Sequence, residues 1–149
     1  MTQNFKNDPQ ESFTQINILL IEDNPDDRQL IQEKLTSEKI NCKLEMVSKL
    51  SDGMEKLNSK YFDIVLLDLN LPDCVGFSTF AKIKSTANNI PIIVLTGSKP
   101  KNNMLKHCLG NTDHYLIKGE FNAKTLAESI EITIKRETLR KKLHSHFVR

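Results

Sequence analysis

Three short apolar runs stand at wide intervals along the chain: INILLI at 16–21, IVLLD at 64–68 and PIIVL at 91–95. Each is too short for an ordinary helix, is rich in Ile, Val and Leu, and stops abruptly at polar residues. That is the pattern of a strand buried on both faces. Such strands need helical crossovers to run parallel and helices on both sides to stay dry, so these runs alone confine the chain to few architectures.

The intervening segments supply the helices. After Ile21, Asn24 is a good N-cap with Pro25 at the first helical position and Asp26 and Asp27 in the first turn. This predicts a helix to about Lys39 with Leu30, Ile31 and Leu35 facing inward. CKLEMV at 42–47 alternates as a half-exposed strand, and Leu50, Met54 and Leu57 then recur at helical spacing, weakened by Gly53. The third strand spans roughly Phe62 to Asp68, the chain then passes through Leu69 and Asn70 to a Leu71-Pro72-Asp73 turn, and Gly76 leads into a helix with Phe77, Phe80 and Ile83 on one face. The fourth strand ends in Thr96-Gly97-Ser98; a weaker helix follows around Met104 to Leu109, then a strand from Asp113 to Ile117 that stops at Lys118-Gly119. A last helix starts near Asn122, with Leu126, Ala127, Ile130 and Ile134 as its buried stripe. The expectation is an α/β fold with a five-stranded parallel sheet.

Composition narrows the function classes. With 149 residues, 38% of them hydrophobic, the chain can bury one core unaided, and it contains no transmembrane run. The start MTQNFKNDPQESFTQ lacks the features of a signal peptide, so a cytoplasmic protein is expected. Cys42, Cys74 and Cys108 have no metal-ligand spacing and are read as reduced thiols. His107, His114, His144 and His146 form no group that suggests catalysis.

In an open parallel sheet, ligands bind beyond the carboxyl ends of the strands. Those ends carry Glu22 and Asp23, then Asp68, Thr96 and Lys118. Any one could be a turn former or helix cap. Together, clustered carboxylates call for a hard cation such as Mg²⁺, and a lysine with a hydroxyl suits the oxygens of a tetrahedral anion. The set describes phosphoryl transfer to or from Asp68.

ILLIEDNPDD, IVLLDLNLPDCVGF, IIVLTG and HYLIKG occur in the order and with the intervals found in receiver domains of two-component response regulators, which the chain resembles from residue 16 to about 137. The resemblance implies the flavodoxin-like (βα)5 fold with strand order 2-1-3-4-5. It implies that Asp68 is the phospho-acceptor, served by a histidine kinase, a phosphotransfer protein or a small phosphodonor. It further implies Mg²⁺ held by Glu22, Asp23, Asp68 and the main-chain carbonyl of Asn70, with Thr96 and Lys118 on phosphoryl oxygens and Tyr115 as a switch aromatic moving with Thr96. Such a protein transfers a phosphoryl group to itself and removes it again; it is not a metabolic enzyme. Glu22 in place of Asp, Gly97 in place of a frequent Ala, and Gly119 in place of the usual Pro are departures from the family pattern.

Residues 1–15 read as a leader, 16–137 as the receiver and 138–149 as a basic extension. Too little chain follows residue 137 for a DNA-binding domain, which predicts a stand-alone receiver, the alternative being a fragment of a longer regulator. At roughly 100° per residue, Ile132, Leu139, Leu143 and Phe147 form a second apolar stripe on the last helix. It predicts a helix-mediated homodimer or a stalk to a partner, against a solvated amphipathic end. Direct nucleic-acid binding through the basic tail lacks aromatic interleaving or a recognition helix. The rival from another class is a Mg²⁺-dependent phosphohydrolase working through an aspartyl-phosphate. It would need a general acid two residues past the nucleophile, where this chain has Asn70.

Overall fold

The computed structural model describes residues 15–87, 89–97 and 114–147, except the side chains of residues 146 and 147. Strands β1 (Ile16–Ile21), β2 (Cys42–Val47), β3 (Ile64–Asp68), β4 (Ile92–Thr96) and β5 (His114–Ile117) form one parallel sheet in the order β2-β1-β3-β4-β5. This is the expected flavodoxin-like order. Helices α1 (Pro25–Ser37), α2 (Leu50–Ser59), α3 (Phe77–Thr86) and α4 (Ala123–Phe147) are found among the described residues. The helix expected near Met104 to Leu109, with His107 and Cys108, lies outside them, as does Asp113.

Strand alternation divides the core into two layers. Ile18, Leu20, Ile64, Leu66, Ile93 and Leu95 pack against Ile31 and Leu35 of α1 and Leu126 and Ile130 of α4. Their sequence neighbours Leu19, Ile21, Val65, Leu67 and Val94 turn the other way, onto Leu50 of α2 and Phe80 and Ile83 of α3. All five residues of β3 are buried, which is why that run shows no apolar–polar alternation.

Two local expectations are corrected. Leu30 does not face inward: it is 50% exposed, because it stands about 100° around the helix from Ile31 and the narrow stripe of Ile31 and Leu35 suffices. Gly53 is no weak point in α2. It is buried, and a Cβ there would lie 2.4 Å from Cδ1 of Ile21, so glycine is what lets α2 approach β1 closely.

The predicted Leu71-Pro72-Asp73 turn closes a short antiparallel ribbon in which Asn70–Leu71 pairs with Cys74–Val75. Its tip has a second task. Lys49 at the N-cap of α2 gives no side-chain cap; instead the main-chain N–H of Leu50 donates to Asp73 Oδ1 at 2.8 Å and that of Ser51 to Oδ2 at 3.0 Å. Those bonds, Ser51's first, hold the Asp73 carboxyl below its ordinary range.

Helix α4 begins where Asn122 Oδ1 accepts from Thr125 N at 2.8 Å and continues unbroken to Phe147. Ile132, Leu139 and Leu143 are exposed along it, whereas Thr133 and Glu137 are buried. Glu137 accepts from Arg140 Nε at 3.1 Å and Nη2 at 2.6 Å. No helix among the described residues is long and apolar enough to cross a membrane.

Candidate phosphoryl site

Register brings the polar strand ends together. Ile21 pairs with Leu67, Asp68 with Leu95, and Thr96 with Ile117, so Glu22, Asp68, Thr96 and Lys118 emerge at one edge of the sheet. The N–H of Glu22 continues the β1–β2 ladder onto the carbonyl of Val47 at 2.9 Å, and the N–H of Lys118 donates to the carbonyl of Thr96 at 2.7 Å. The chemistry therefore stands on rigid backbone rather than on loops.

Glu22, Asp23 and Asp68 each offer an oxygen, and the three oxygens lie within 4.8 Å of one another. Glu22 and Asp68 are buried, Asp23 exposed. Between them reaches Lys118, whose Nζ lies 2.8 Å from Glu22 Oε1, 3.3 Å from Asp68 Oδ2 and 3.0 Å from Asp27 Oδ2. Asp68 Oδ1 accepts from the N–H of Asn70 at 3.1 Å, and Glu22 Oε2 from that of Asn24 at 3.2 Å. Arg28 Nη1 donates to the Glu22 carbonyl at 2.8 Å and fixes the start of the loop.

Burial pushes the Glu22 carboxyl up from 4.5 to about 7; the neighbouring Asp68 adds to this, while Lys118 and the Asn24 N–H oppose it. Burial also pulls the Lys118 ammonium down, but its pairing with Glu22 and Asp27 outweighs that and holds it above its ordinary value. Glu22 Oε1 has an ion-pair partner but no hydrogen bond. A buried carboxylate oxygen with hydrogen-bonding capacity to spare, beside two further carboxylates, fits a hard oxygen-seeking cation. The resident lysine and the acidic cluster make the edge suited to an anion with its own divalent cation.

Thr96 is partly exposed at the end of β4. Tyr115, one strand further, is partly buried and packs against the core layer beneath α2 and α3. An added Cβ at Gly97 would meet nothing within 4 Å among the described residues. Gly119 has φ +82°, a conformation closed to the proline usual there, whose ring fixes φ near −65°. Sequence reasoning missed Asp27. An acidic residue in the first turn of a helix is ordinary dipole chemistry, and nothing in its spacing announces a lysine 91 residues away.

Residues 18–131 match the family model described as the response regulator receiver domain. The cell cycle transcriptional regulator CtrA of Caulobacter vibrioides is 32% identical over 120 residues, which is 80% of this chain and 50% of CtrA. The chain thus spans about half the length of that relative. Among solved structures, the phosphorylated cyanobacterial phytochrome response regulator RcpA superposes with TM-score 0.61 at 29% identity, over 83% of this chain and 92% of RcpA. The receiver domain of a sensor histidine kinase from Pseudomonas aeruginosa, with a magnesium ion coordinated in its active-site cleft, gives TM-score 0.69 at 24% identity, over 82% of this chain and 99% of that one. With the family match reaching every strand of the sheet, β1 from Ile18 onward, and running well into α4, the chain belongs to the response regulator receiver domains of two-component signalling.

Proposed function

We propose that this receiver is switched by phosphorylation of Asp68 and that the switch alters which protein it binds. The observation that carries this is the position of Asp68: buried at the end of the central strand, beside Glu22 and Asp23, with the Lys118 ammonium 3.3 Å away. A carboxylate oxygen of Asp68 attacks phosphorus, the bond from phosphorus to the donor breaks, and the electron pair leaves with the donor. For a histidine kinase or a phosphotransfer protein that donor is the nitrogen of a phosphohistidine.

Glu22, Asp23, Asp68 and the Asn70 carbonyl would hold Mg²⁺, which when bound neutralises charge on the phosphoryl oxygens. Lys118 supplies a cation to the same oxygens and Thr96 a hydroxyl. With those oxygens as new partners, Thr96 and Tyr115 shift together and reshape the surface around β5, so that one state binds a partner better. Asn70 stands where a metabolite phosphatase needs a general acid, which argues against turnover of metabolites.

Incubation with acetyl phosphate and Mg²⁺ should add one phosphoryl group by intact mass, stable in acid and labile in base. Asp68→Asn should abolish it. An adduct that persists in the variant would remove Asp68 from its role.

Residues 16–137 form the receiver in this reading and 138–149 a basic extension that serves association. The exposed stripe of Ile132, Leu139 and Leu143 is assigned to a second copy laid antiparallel. An antiparallel copy sets the half of α4 that carries Glu128 and Glu131 against the half that carries Lys135, Arg136 and Lys142, which complements charge along the seam. Light scattering should find a dimer that Leu139→Glu with Leu143→Glu converts to monomer; a monomer in both would end this part of the proposal.

A further inference from the structure

Lys118 makes three contacts with carboxylates, and they differ in kind. That with Asp27, at 3.0 Å, is directed as a hydrogen bond. That with Glu22 Oε1, at 2.8 Å, leaves the oxygen without a hydrogen bond, and that with Asp68 is longer, 3.3 Å. The lysine on which the phosphoryl group would depend thus divides its contacts between the sheet-edge carboxylates and α1, and Asp27 is the partner that lies outside the acceptor's own cluster.

Asp27 is also released from the duty its position suggests. The third residue of a helix commonly reaches back to the N-cap main-chain N–H. Here the N-cap N–H of Asn24 goes to Glu22 Oε2, and Asn24 Oδ1 serves Asp26 N at 2.8 Å and Asp27 N at 3.1 Å. The Asp27 carboxylate is left to Lys118.

Resting on the reading of Asp68 as phospho-acceptor, we propose that Asp27 is a positioning residue that competes with the phosphoryl group for Lys118. In the resting state it draws the ammonium toward α1. A tetrahedral anion on Asp68 must reclaim that hydrogen bond, so the affinity of the site for the anion is reduced by the cost of parting Lys118 from Asp27. By linkage, occupancy of the site frees the first turn of α1 from its tie to β5.

The probe is beryllofluoride, a tetrahedral anion that binds carboxylates without phosphoryl chemistry, titrated by NMR at fixed Mg²⁺. Asp27→Asn should tighten binding about three- to fivefold, the upper end of what a partly exposed ion pair contributes. Asp26→Asn removes the same charge from the same turn but makes no ion pair with Lys118, and should stay within about twofold, since exposed charges that are not in contact couple weakly. Both variants lose the favourable helix-dipole charge, and Asp27→Asn should lose somewhat more thermal stability because it also gives up the pair with Lys118; a merely structural role for Asp27 would show that loss without tighter binding. In wild type, the Asp27 main-chain N–H resonance should shift on saturation with beryllofluoride, and in Asp27→Asn that shift should shrink. Equal or weaker binding by Asp27→Asn, or an equal gain in Asp26→Asn, would overturn the competition while leaving Asp68 in place. Wild-type binding that is absent, or unchanged by Asp68→Asn, would instead remove the phospho-acceptor and the Asp27 proposal with it.

Discussion

Lys118→Ala should lower the unfolding free energy by about 2–4 kcal/mol at pH 8 in the absence of divalent cation, the scale for stripping one partner from a largely buried charge cluster. The lysine is the cation that makes Glu22 and Asp68 tolerable at close quarters: its side chain is 27% exposed, theirs 0% and 6%. Without it the two carboxylates face each other with only main-chain N–H groups in support. Protonation of Glu22 is the remaining relief, so the deficit should shrink toward pH 5. Mg²⁺ binds the folded state and should restore part of the loss at pH 8. Urea denaturation at both pH values, with and without Mg²⁺, measures each part. A deficit that is the same at pH 5 and pH 8 would show that Lys118 stabilises through its packing instead.

Glu22→Gln should move stability the other way. A carboxyl group whose pKa rises from 4.5 to about 7 on folding is bound more tightly to its proton in the folded state. Between those values the folded chain holds more protons than the unfolded one, so stability falls as pH rises through this window, and the full cost is present above pH 7. Glutamine never ionises. The variant should therefore match wild type near pH 4 and be more stable by about 1–3 kcal/mol at pH 8 without divalent cation, since each tenfold gain in proton affinity on folding is worth about 1.4 kcal/mol. It should also lose most of its affinity for Mg²⁺, read by calorimetry. A variant less stable than wild type at pH 8 would mean that the attraction to Lys118 exceeds the burial cost.

These opposed signs locate the strain. Glu22 is held in a place that costs stability, and Lys118 limits the cost.

The sheet was legible because its strands are buried on both faces, so INILLI, IVLLD and IIVLT carry an uninterrupted signal. The clustering of the candidate residues was legible because the same topology delivers the polar ends of β1, β3, β4 and β5 to a common edge. What escaped lies between elements distant in sequence. Leu30 read as core because it is apolar beside Ile31, and only the seating of α1 on the sheet decides which of the two is covered. Gly53 read as a weak helix former because its reason is the methyl of Ile21 above it. Asp27 and Asp73 read as a helix-start acid and a turn former, and their partners, Lys118 and the N-terminus of α2, are 91 and 22–23 residues away.

The Asp73 cap also bears on the order of folding. The main-chain N–H groups of Leu50 and Ser51 have no local acceptor until β3 has paired and its following ribbon has closed. A nascent chain that has emerged only as far as residue 60 lacks the acceptors for the first turn of α2, and the helix start is completed from outside, by chain that emerges later. The ribbon that follows Asp68 at the sheet edge is therefore also what completes the start of α2.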